Sequence, residues 1–276
     1  MEEALAVDGL KICYDVEGAG DKLLLIHGLG AGRKVWRHLL PEASRYFCTY
    51  AIDLPGFGGS DKPDVAYGTP YYAEFVRQFM DASGIDKAAV AGASMGGAVA
   101  AAFAAKYPER VARLILIAPA GFTPLRSLPV KSESLADASL WLMSYSRSLL
   151  VKMFEDSFYD RASIPQDLVD EFWTQMKDRN YRRAFIRNST YLSQDHPEFA
   201  GILGNIRAPT LLLWGADDAV IPASDAEQFA GLIPRSEVKV LDRCGHMPAV
   251  EKGDACADAM LSFLGEVDLY YTNDEL

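Results

Sequence analysis

The chain has 276 residues, 50% hydrophobic and 24% charged, with 27 Lys+Arg against 38 Asp+Glu for a net charge of −11. This is the composition of a folded soluble domain with a substantial core, and it excludes the disordered and fibrous classes. The negative field opposes polyanions, so nucleic acid is not an expected partner.

In chain order, Met1–Gly9 (MEEALAVDG) is acidic where a signal peptide carries basic residues. Short apolar runs then alternate with helical patterns. Lys11–Val16 and Leu23–His27 read as strands, Val35–Arg45 as a helix, Thr49–Leu54 as a strand and Pro70–Ser83 as a helix. Ala88–Ala93 reads as a strand, the alanine-rich Met95–Tyr107 as a helix stopped by Pro108, and Arg113–Ala118 as a strand. Apolar runs without alternation suit strands buried on both faces, as in a mostly parallel sheet flanked by helices. From Gly121 to Arg207 helical stretches rich in Trp, Met, Phe and Tyr take over, such as Leu135–Phe158 and Gln166–Asp178. Strands return at Thr210–Trp214 and Glu237–Leu241, separated by a helix near Ser224–Ile233, and a helix at Ala255–Leu264 follows. Because loops that long without structure of their own are uncommon, a helical block of about 85 residues is expected inside an α/β domain.

No segment approaches the roughly 18 consecutive apolar residues of a spanning helix. The four cysteines, Cys13, Cys48, Cys244 and Cys256, are too sparse for a disulfide scaffold and form no CxxC pair, so free thiols in the cytoplasm are expected. The tail Asn273-Asp274-Glu275-Leu276 resembles an ER-retention signal, which serves only a protein that has entered the secretory pathway.

Gly92-Ala93-Ser94-Met95-Gly96-Gly97 is a GxSxG sequence placed where a buried strand meets a helix. A sharp strand-to-helix turn needs small residues beside the serine and lifts its hydroxyl above the strand end. It also puts the Met95 N–H at a helix N-terminus, where unpaired amides favour developing negative charge. A serine hydroxyl is a poor nucleophile at neutral pH and requires a histidine base oriented by a carboxylate. Of the four histidines, His27 ends a buried strand, His38 lies among basic residues and His196 precedes Pro197. His246 follows the last strand in a turn, Cys244-Gly245-His246-Met247-Pro248, beyond a strand's carboxyl end where open α/β sheets meet their ligands. The acid falls in Gly215-Ala216-Asp217-Asp218, where two adjacent carboxylates point in different directions and one can reach the histidine.

The order serine, acid, histidine is the one associated with α/β-hydrolases. The chain resembles that superfamily over nearly its whole length, through His27-Gly28-Leu29-Gly30, Asp53-Leu54-Pro55-Gly56-Phe57-Gly58-Gly59-Ser60, the Ser94 turn, Trp214-Gly215-Ala216-Asp217-Asp218 and Gly245-His246. The resemblance implies Ser94 as nucleophile, His246 as base and then acid, and Asp218 as the orienting acid, with the N–H groups of Leu29 and Met95 as oxyanion hole. It implies structural parts for His27 and Asp53 and a packing or salt-bridge position at Glu251. It further implies an α/β-hydrolase core over residues 1–121 and 206–276, with a helical cap over 122–205 inserted after the sixth strand, and no cofactor or metal.

Serine at position 94 argues against the dehalogenases and epoxide hydrolases of the superfamily, which use aspartate there. Ser-Met-Gly-Gly and Arg243-Cys244-Gly245-His246 resemble the C–C hydrolases of meta-cleavage products, with three departures. Ala93 stands where those enzymes have Asn, Met247 where they have Trp, and Phe172, beside Trp173, where they have a cap arginine. Losing a guanidinium forfeits the charge-assisted contact to a dienoate carboxylate. The expected substrate is therefore an apolar, uncharged carboxylic ester, with C–C hydrolysis, perhydrolysis and ligand reception as the alternatives. Trp141, Met143, Trp173 and Met247 are expected to line the pocket, with Met153, Phe154, Phe158, Tyr145 and Met176 as further candidates. A dinucleotide site at Gly28-Leu29-Gly30-Ala31-Gly32 fails because the third glycine of the fingerprint is replaced by Arg33.

Overall fold

The computed structural model describes residues 2–124, 132–194 and 197–265. His196 and the tail at 273–276 lie outside these residues.

Eight strands, β1 (Glu2–Val7), β2 (Leu10–Glu17), β3 (Lys22–Ile26), β4 (Cys48–Ile52), β5 (Ala88–Ala93), β6 (Val111–Ile117), β7 (Thr210–Gly215) and β8 (Ser236–Leu241), form one sheet. Their order is β1-β2-β4-β3-β5-β6-β7-β8. β1 and β2 pair antiparallel, as do β2 and β4, and every later pair is parallel. The apolar runs are explained by burial on both faces. In β3, Leu24 and Ile26 join the core beneath α2 (Thr69–Ala82) and α3 (Met95–Lys106), while Leu23 and Leu25 join the core beneath α1 (Leu39–Ala43) and α11 (Gly253–Gly265). In β7, Leu212 and Trp214 face the first core and Leu211 and Leu213 the second.

Two differences from the sequence reading have clear causes. β1 is an additional edge strand whose residues are mostly exposed, and only Leu5 and Val7 of its EEALAV sequence turn to the core, too short an alternation to mark a strand. It is joined to β2 through Asp8 and Gly9, both at positive φ, as a tight two-residue hairpin requires. The helix expected over Val35–Arg45 is instead a 3-10 turn at Arg33–Trp36 followed by the short α1. Pro41 has no N–H to give to the preceding turn and its ring would clash with that turn's carbonyl, so it fits only the first turn of a helix.

Between β6 and β7 lie α4 (Glu133–Met143), α5 (Arg147–Glu155), α6 (Gln166–Gln175), α7 (Arg179–Leu192) and α8 (Pro197–Leu203). The expected stretch Leu135–Phe158 is divided into α4 and α5 at Ser144-Tyr145-Ser146, where the Ser144 hydroxyl donates to Trp141 O. α9 (Asp225–Leu232) joins β7 to β8, and α10 (Pro248–Glu251) precedes α11. Among the described residues no helix is long and apolar enough to cross a membrane.

Strand order reverses at β3, which has β4 on one side and β5 on the other. Chain segments leaving β3 and β5 diverge there and leave a crevice at the carboxyl ends of the strands. The residues described next converge at that crevice.

Candidate active site

Ser94 stands between β5 and α3 with φ 54° and ψ −119°, a conformation that L-residues seldom adopt. The surrounding glycines are dictated by close approach. A Cβ on Gly92 would stand 2.1 Å from Gly96 O, and one on Gly96 would stand 2.2 Å from Ile26 O. Met95 opens α3, so its N–H belongs to the first turn, whose amides have no acceptor within the helix. The loop after β3 passes over the serine, since a Cβ on Gly28 would lie 3.8 Å from Ser94 Oγ. Leu29, next in that loop, lines the same pocket as Ser94.

The sequence separates Ser94, Asp218 and His246 widely, and the fold brings them together. His246 Nε2 lies 2.9 Å from Ser94 Oγ, and His246 Nδ1 lies 2.8 Å from Asp218 Oδ2. With Nδ1–H donating to the carboxylate, a neutral ring offers the Nε2 lone pair to the serine O–H. The Asp218 side chain is fully buried, and its Oδ1 accepts from the amides of Val220 and Ile221 at 2.8 and 2.9 Å. Beneath this loop the buried Trp214 indole donates to Ile221 O at 3.0 Å. Asp217, by contrast, is exposed. Such an arrangement can move a proton from serine to histidine while a carboxylate holds the imidazolium.

The neighbouring polar residues are mostly occupied with the backbone. His27 is completely buried, its Nδ1 contacting Gly28 O at 2.7 Å and its Nε2 accepting from the Leu54 amide at 3.0 Å. Burial pushes its pKa below the ordinary 6.5. Asp53 Oδ1 accepts from the Arg33 amide at 2.7 Å and Oδ2 from the Gly59 amide at 2.8 Å, and the carboxylate also pairs with the Arg33 guanidinium. Arg33, which interrupts the dinucleotide fingerprint, thus engages the acid that such a site would need.

Glu251 makes no salt bridge among the described residues but clamps the backbone. Its Oε2 accepts from the Gly245 amide at 2.6 Å and the Tyr159 amide at 3.2 Å, and its Oε1 from the Asp160 amide at 2.7 Å. The His246 amide donates to Ser157 O at 2.8 Å. The histidine loop is therefore fastened to the loop that follows α5.

A cavity of about 210 Å³ opens over Ser94 and His246. Met153, Phe154, Leu168, Phe172 and Phe185 line it from the inserted helices, with Met247 beside the histidine. Of the expected pocket residues, Met247, Met153 and Phe154 line the cavity, whereas Trp141, Met143 and Trp173 are not among the described lining residues. Trp141 is 47% exposed and packs edge-on against Tyr145, which is itself exposed. Met143 packs against the main core. Trp173 points its indole N–H at Ser144 O and carries Lys177 over its ring. Phe158 and Met176 are buried in packing. The lining polar residues that sequence reasoning missed are Ser157, Glu171 and Gln175. The spacing 168, 171, 172, 175 marks one face of α6, and a Glu and a Gln on that face are the available signal. No Lys or Arg is among the described lining residues.

The alpha/beta hydrolase fold family model matches residues 22–253. A 2-hydroxy-6-oxo-6-phenylhexa-2,4-dienoate hydrolase from Burkholderia cepacia is 31% identical over 265 residues, covering 94% of this chain and 92% of its own. A 2-hydroxy-6-oxononadienedioate/2-hydroxy-6-oxononatrienedioate hydrolase from Paraburkholderia phymatum is 30% identical over 265 residues, covering 93% of this chain and 92% of its own. The crystal structure of a membrane phospholipase A, a bacterial virulence factor, matches with a TM-score of 0.83 at 33% identity, covering 97% of this chain and 86% of that one. With the family model spanning residues 22–253, the chain belongs to the α/β hydrolase fold family and is a hydrolase.

Proposed function

We propose that the protein is a serine hydrolase that cleaves uncharged carboxylic esters with an apolar acyl group. Ser94 Oγ attacks the ester carbonyl as His246 Nε2 takes its proton, and Asp218 holds the imidazolium. The N–H groups of Leu29 and Met95 receive the charge that develops on the carbonyl oxygen. Collapse of the tetrahedral intermediate expels the alcohol, protonated by His246, and leaves an acyl-Ser94 that water hydrolyses with His246 again as base. In this reading residues 122–205 act as a cap whose helices shape the acyl site, over a core of residues 1–121 and 206–276.

The observation that carries the substrate class is the lining of the cavity. A carboxylate-bearing substrate needs a positive group, and the described lining offers the carboxylate of Glu171 and no Lys or Arg. The 33% identical structure is that of a membrane phospholipase A, which is in keeping with ester chemistry. The cavity of about 210 Å³ is smaller than the roughly 300–1,000 Å³ of sites for drug-sized ligands, which suits a short acyl group.

A second reading, hydrolysis of a C–C bond in a meta-cleavage product, is favoured by the names of the curated relatives, which are dienoate and dienedioate hydrolases. One experiment separates the two. A panel of p-nitrophenyl esters from acetate to octanoate is run beside a 2-hydroxy-6-oxo-6-phenylhexa-2,4-dienoate, with a fluorophosphonate label on parent and Ser94→Ala proteins. We expect labelling that Ser94→Ala abolishes, and turnover of the short esters far above that of the dienoate. Dienoate turnover dominating the panel would replace the ester reading by the second, and labelling that survives in Ser94→Ala would remove Ser94 from its role.

A further inference from the structure

One pocket-lining carboxylate has no part in the chemistry above. Glu171 lies on α6, flanked on its pocket-lining face by Leu168, Phe172 and, one turn later, Gln175. It stands opposite the glycine loop, its Oε1 being 3.7 Å from where a Cβ on Gly32 would be. Its side chain is 24% exposed, and its nearest cation, the exposed Lys34, reaches only to 3.6 Å from Oε2. Burial pushes the Glu171 carboxyl up, Lys34 opposes this, and the Asp53 charge adds to it. Gln175 is committed to the backbone, donating to Gly58 O at 3.1 Å.

A carboxylate placed in a mostly apolar wall costs desolvation unless something donates to it. Lys34 is too distant for a hydrogen bond of ordinary length, so lone pairs of Glu171 are available to a ligand. Because Lys34 already balances part of the charge, a second cation is not required and a neutral O–H suffices.

We propose that Glu171 is a specificity-determining residue that accepts a hydrogen bond from a hydroxyl group on the substrate, distal to the scissile ester, and repels substrates that carry a carboxylate there. The substrate class is thereby narrowed from apolar esters to short esters with one hydroxyl on an apolar chain. This rests on the ester reading of the same site, and the test keeps the two apart.

The test uses the full-length protein and ethyl esters of four- and six-carbon acids whose chains carry a hydrogen, a hydroxyl or a carboxylate at the terminal or penultimate carbon. Acid release is followed at constant pH. For the parent we expect kcat/KM for the best hydroxylated ester to exceed that of its plain counterpart about tenfold, in line with a hydrogen bond to a charged acceptor. The carboxylated ester should be the poorest. In Glu171→Leu the hydroxyl preference should vanish, and in Glu171→Gln, where the amide oxygen still accepts, it should shrink while the carboxylated ester improves. A parent ratio of one or below, or a ratio that Glu171→Leu leaves unchanged, overturns the role of Glu171. Should Glu171→Leu fail to fold, the parent ratio and Glu171→Gln decide. Absence of turnover on every ester overturns the ester reading itself, which the separate fluorophosphonate and dienoate measurements also address.

Discussion

Glu251 offers the sharpest test of how the histidine is held. Its carboxylate receives the amides of Gly245, Tyr159 and Asp160, joining the histidine loop to the loop after α5. Replacing it by alanine removes all three acceptor contacts and leaves the chain elsewhere unchanged. The Gly245 amide is partly buried, so its bond to a charged acceptor contributes about 1.5–3 kcal/mol. The Tyr159 and Asp160 contacts are exposed, water replaces the lost acceptor there, and each contributes about 0.5 kcal/mol. The expected destabilisation is about 3 kcal/mol, which at about 2–4 °C per kcal/mol lowers Tm by about 6–12 °C.

Activity should respond through geometry as well. His246 sits one residue beyond Gly245, and its own amide is tied to Ser157 O across the same junction. Once the carboxylate is gone, the junction retains that backbone bond and the packing of Phe158 with Met247 and Val250, which hold the loop less tightly, and Nε2 is expected to lose its 2.9 Å approach to Ser94 Oγ. Misplacement by about 1 Å costs on the order of 10²-fold in kcat. Thermal unfolding by circular dichroism and turnover of p-nitrophenyl acetate below the transition measure the two effects independently. Glu251→Gln, which keeps acceptor oxygen at one position but turns an NH₂ towards an amide at the other, should lie between parent and Glu251→Ala in both. A Glu251→Ala protein with unchanged Tm and parental kcat would refute the argument, because the clamp would then hold nothing that folding or turnover needs.

Two further expectations follow from the same neighbourhood. Asp218→Asn should lower kcat on the order of 10⁴-fold by fixing the wrong histidine tautomer, whereas Asp217→Asn, at an exposed position, should leave turnover near that of the parent; equal losses would remove the distinction. His27, fully buried with its pKa held below 6.5, supplies a pH dependence of stability. The unfolded imidazole takes a proton near 6.5 and the folded one does not, so its contribution is fully present above 6.5 and is lost as pH falls from there toward the folded value. Urea midpoints at pH 7.5 and 5.5 should fall further for the parent than for His27→Gln, and an identical drop in both would contradict this origin.

What could be read from the sequence depended on how many constraints each residue meets. Leu23, Leu24, Leu25 and Ile26 must fill two cores at once, so their apolar run is visible without any structure. Ser94 and its glycines are equally legible, since the approach of Gly96 to Ile26 O admits no other residue. β1 is less legible, because only Leu5 and Val7 of Glu2–Val7 turn to the core and two inward residues make a short signal, although Asp8-Gly9 is a hairpin signal by itself. The pocket was the least legible part. Trp141 and Trp173 have the composition of pocket residues, but composition does not say which side of a helix faces the cavity, and the breaks at Ser144-Tyr145-Ser146 and Met176-Lys177-Asp178 set that orientation. Glu251 is legible as a position but not as an acceptor of three backbone amides, because beyond nearby Gly245 its other two partners, Tyr159 and Asp160, lie far away in the chain.

The two walls of the cavity differ in how freely they can vary. On the serine side, Gly92 and Gly96 are held by backbone approaches of 2.1 and 2.2 Å to any added Cβ, and Ser94 is held at positive φ. A side chain added at either glycine disrupts the turn that holds Ser94 Oγ 2.9 Å from His246 Nε2. On the opposite side, Leu168, Glu171, Phe172 and Gln175 present side chains to the cavity from one face of α6. Leu168 and Phe172 are also buried in the cores that hold the strands, so of these four Glu171 and Gln175 are the positions whose replacement changes the charge or polarity of the site without opening a core. The charge offered to a ligand can therefore change at Glu171 without touching the turn that holds Ser94. Under the proposed ester reading, α6 is the element that sets the choice between an ester and a dienoate, because it turns the Glu171 carboxylate and the Phe172 ring, and no cation, to the cavity.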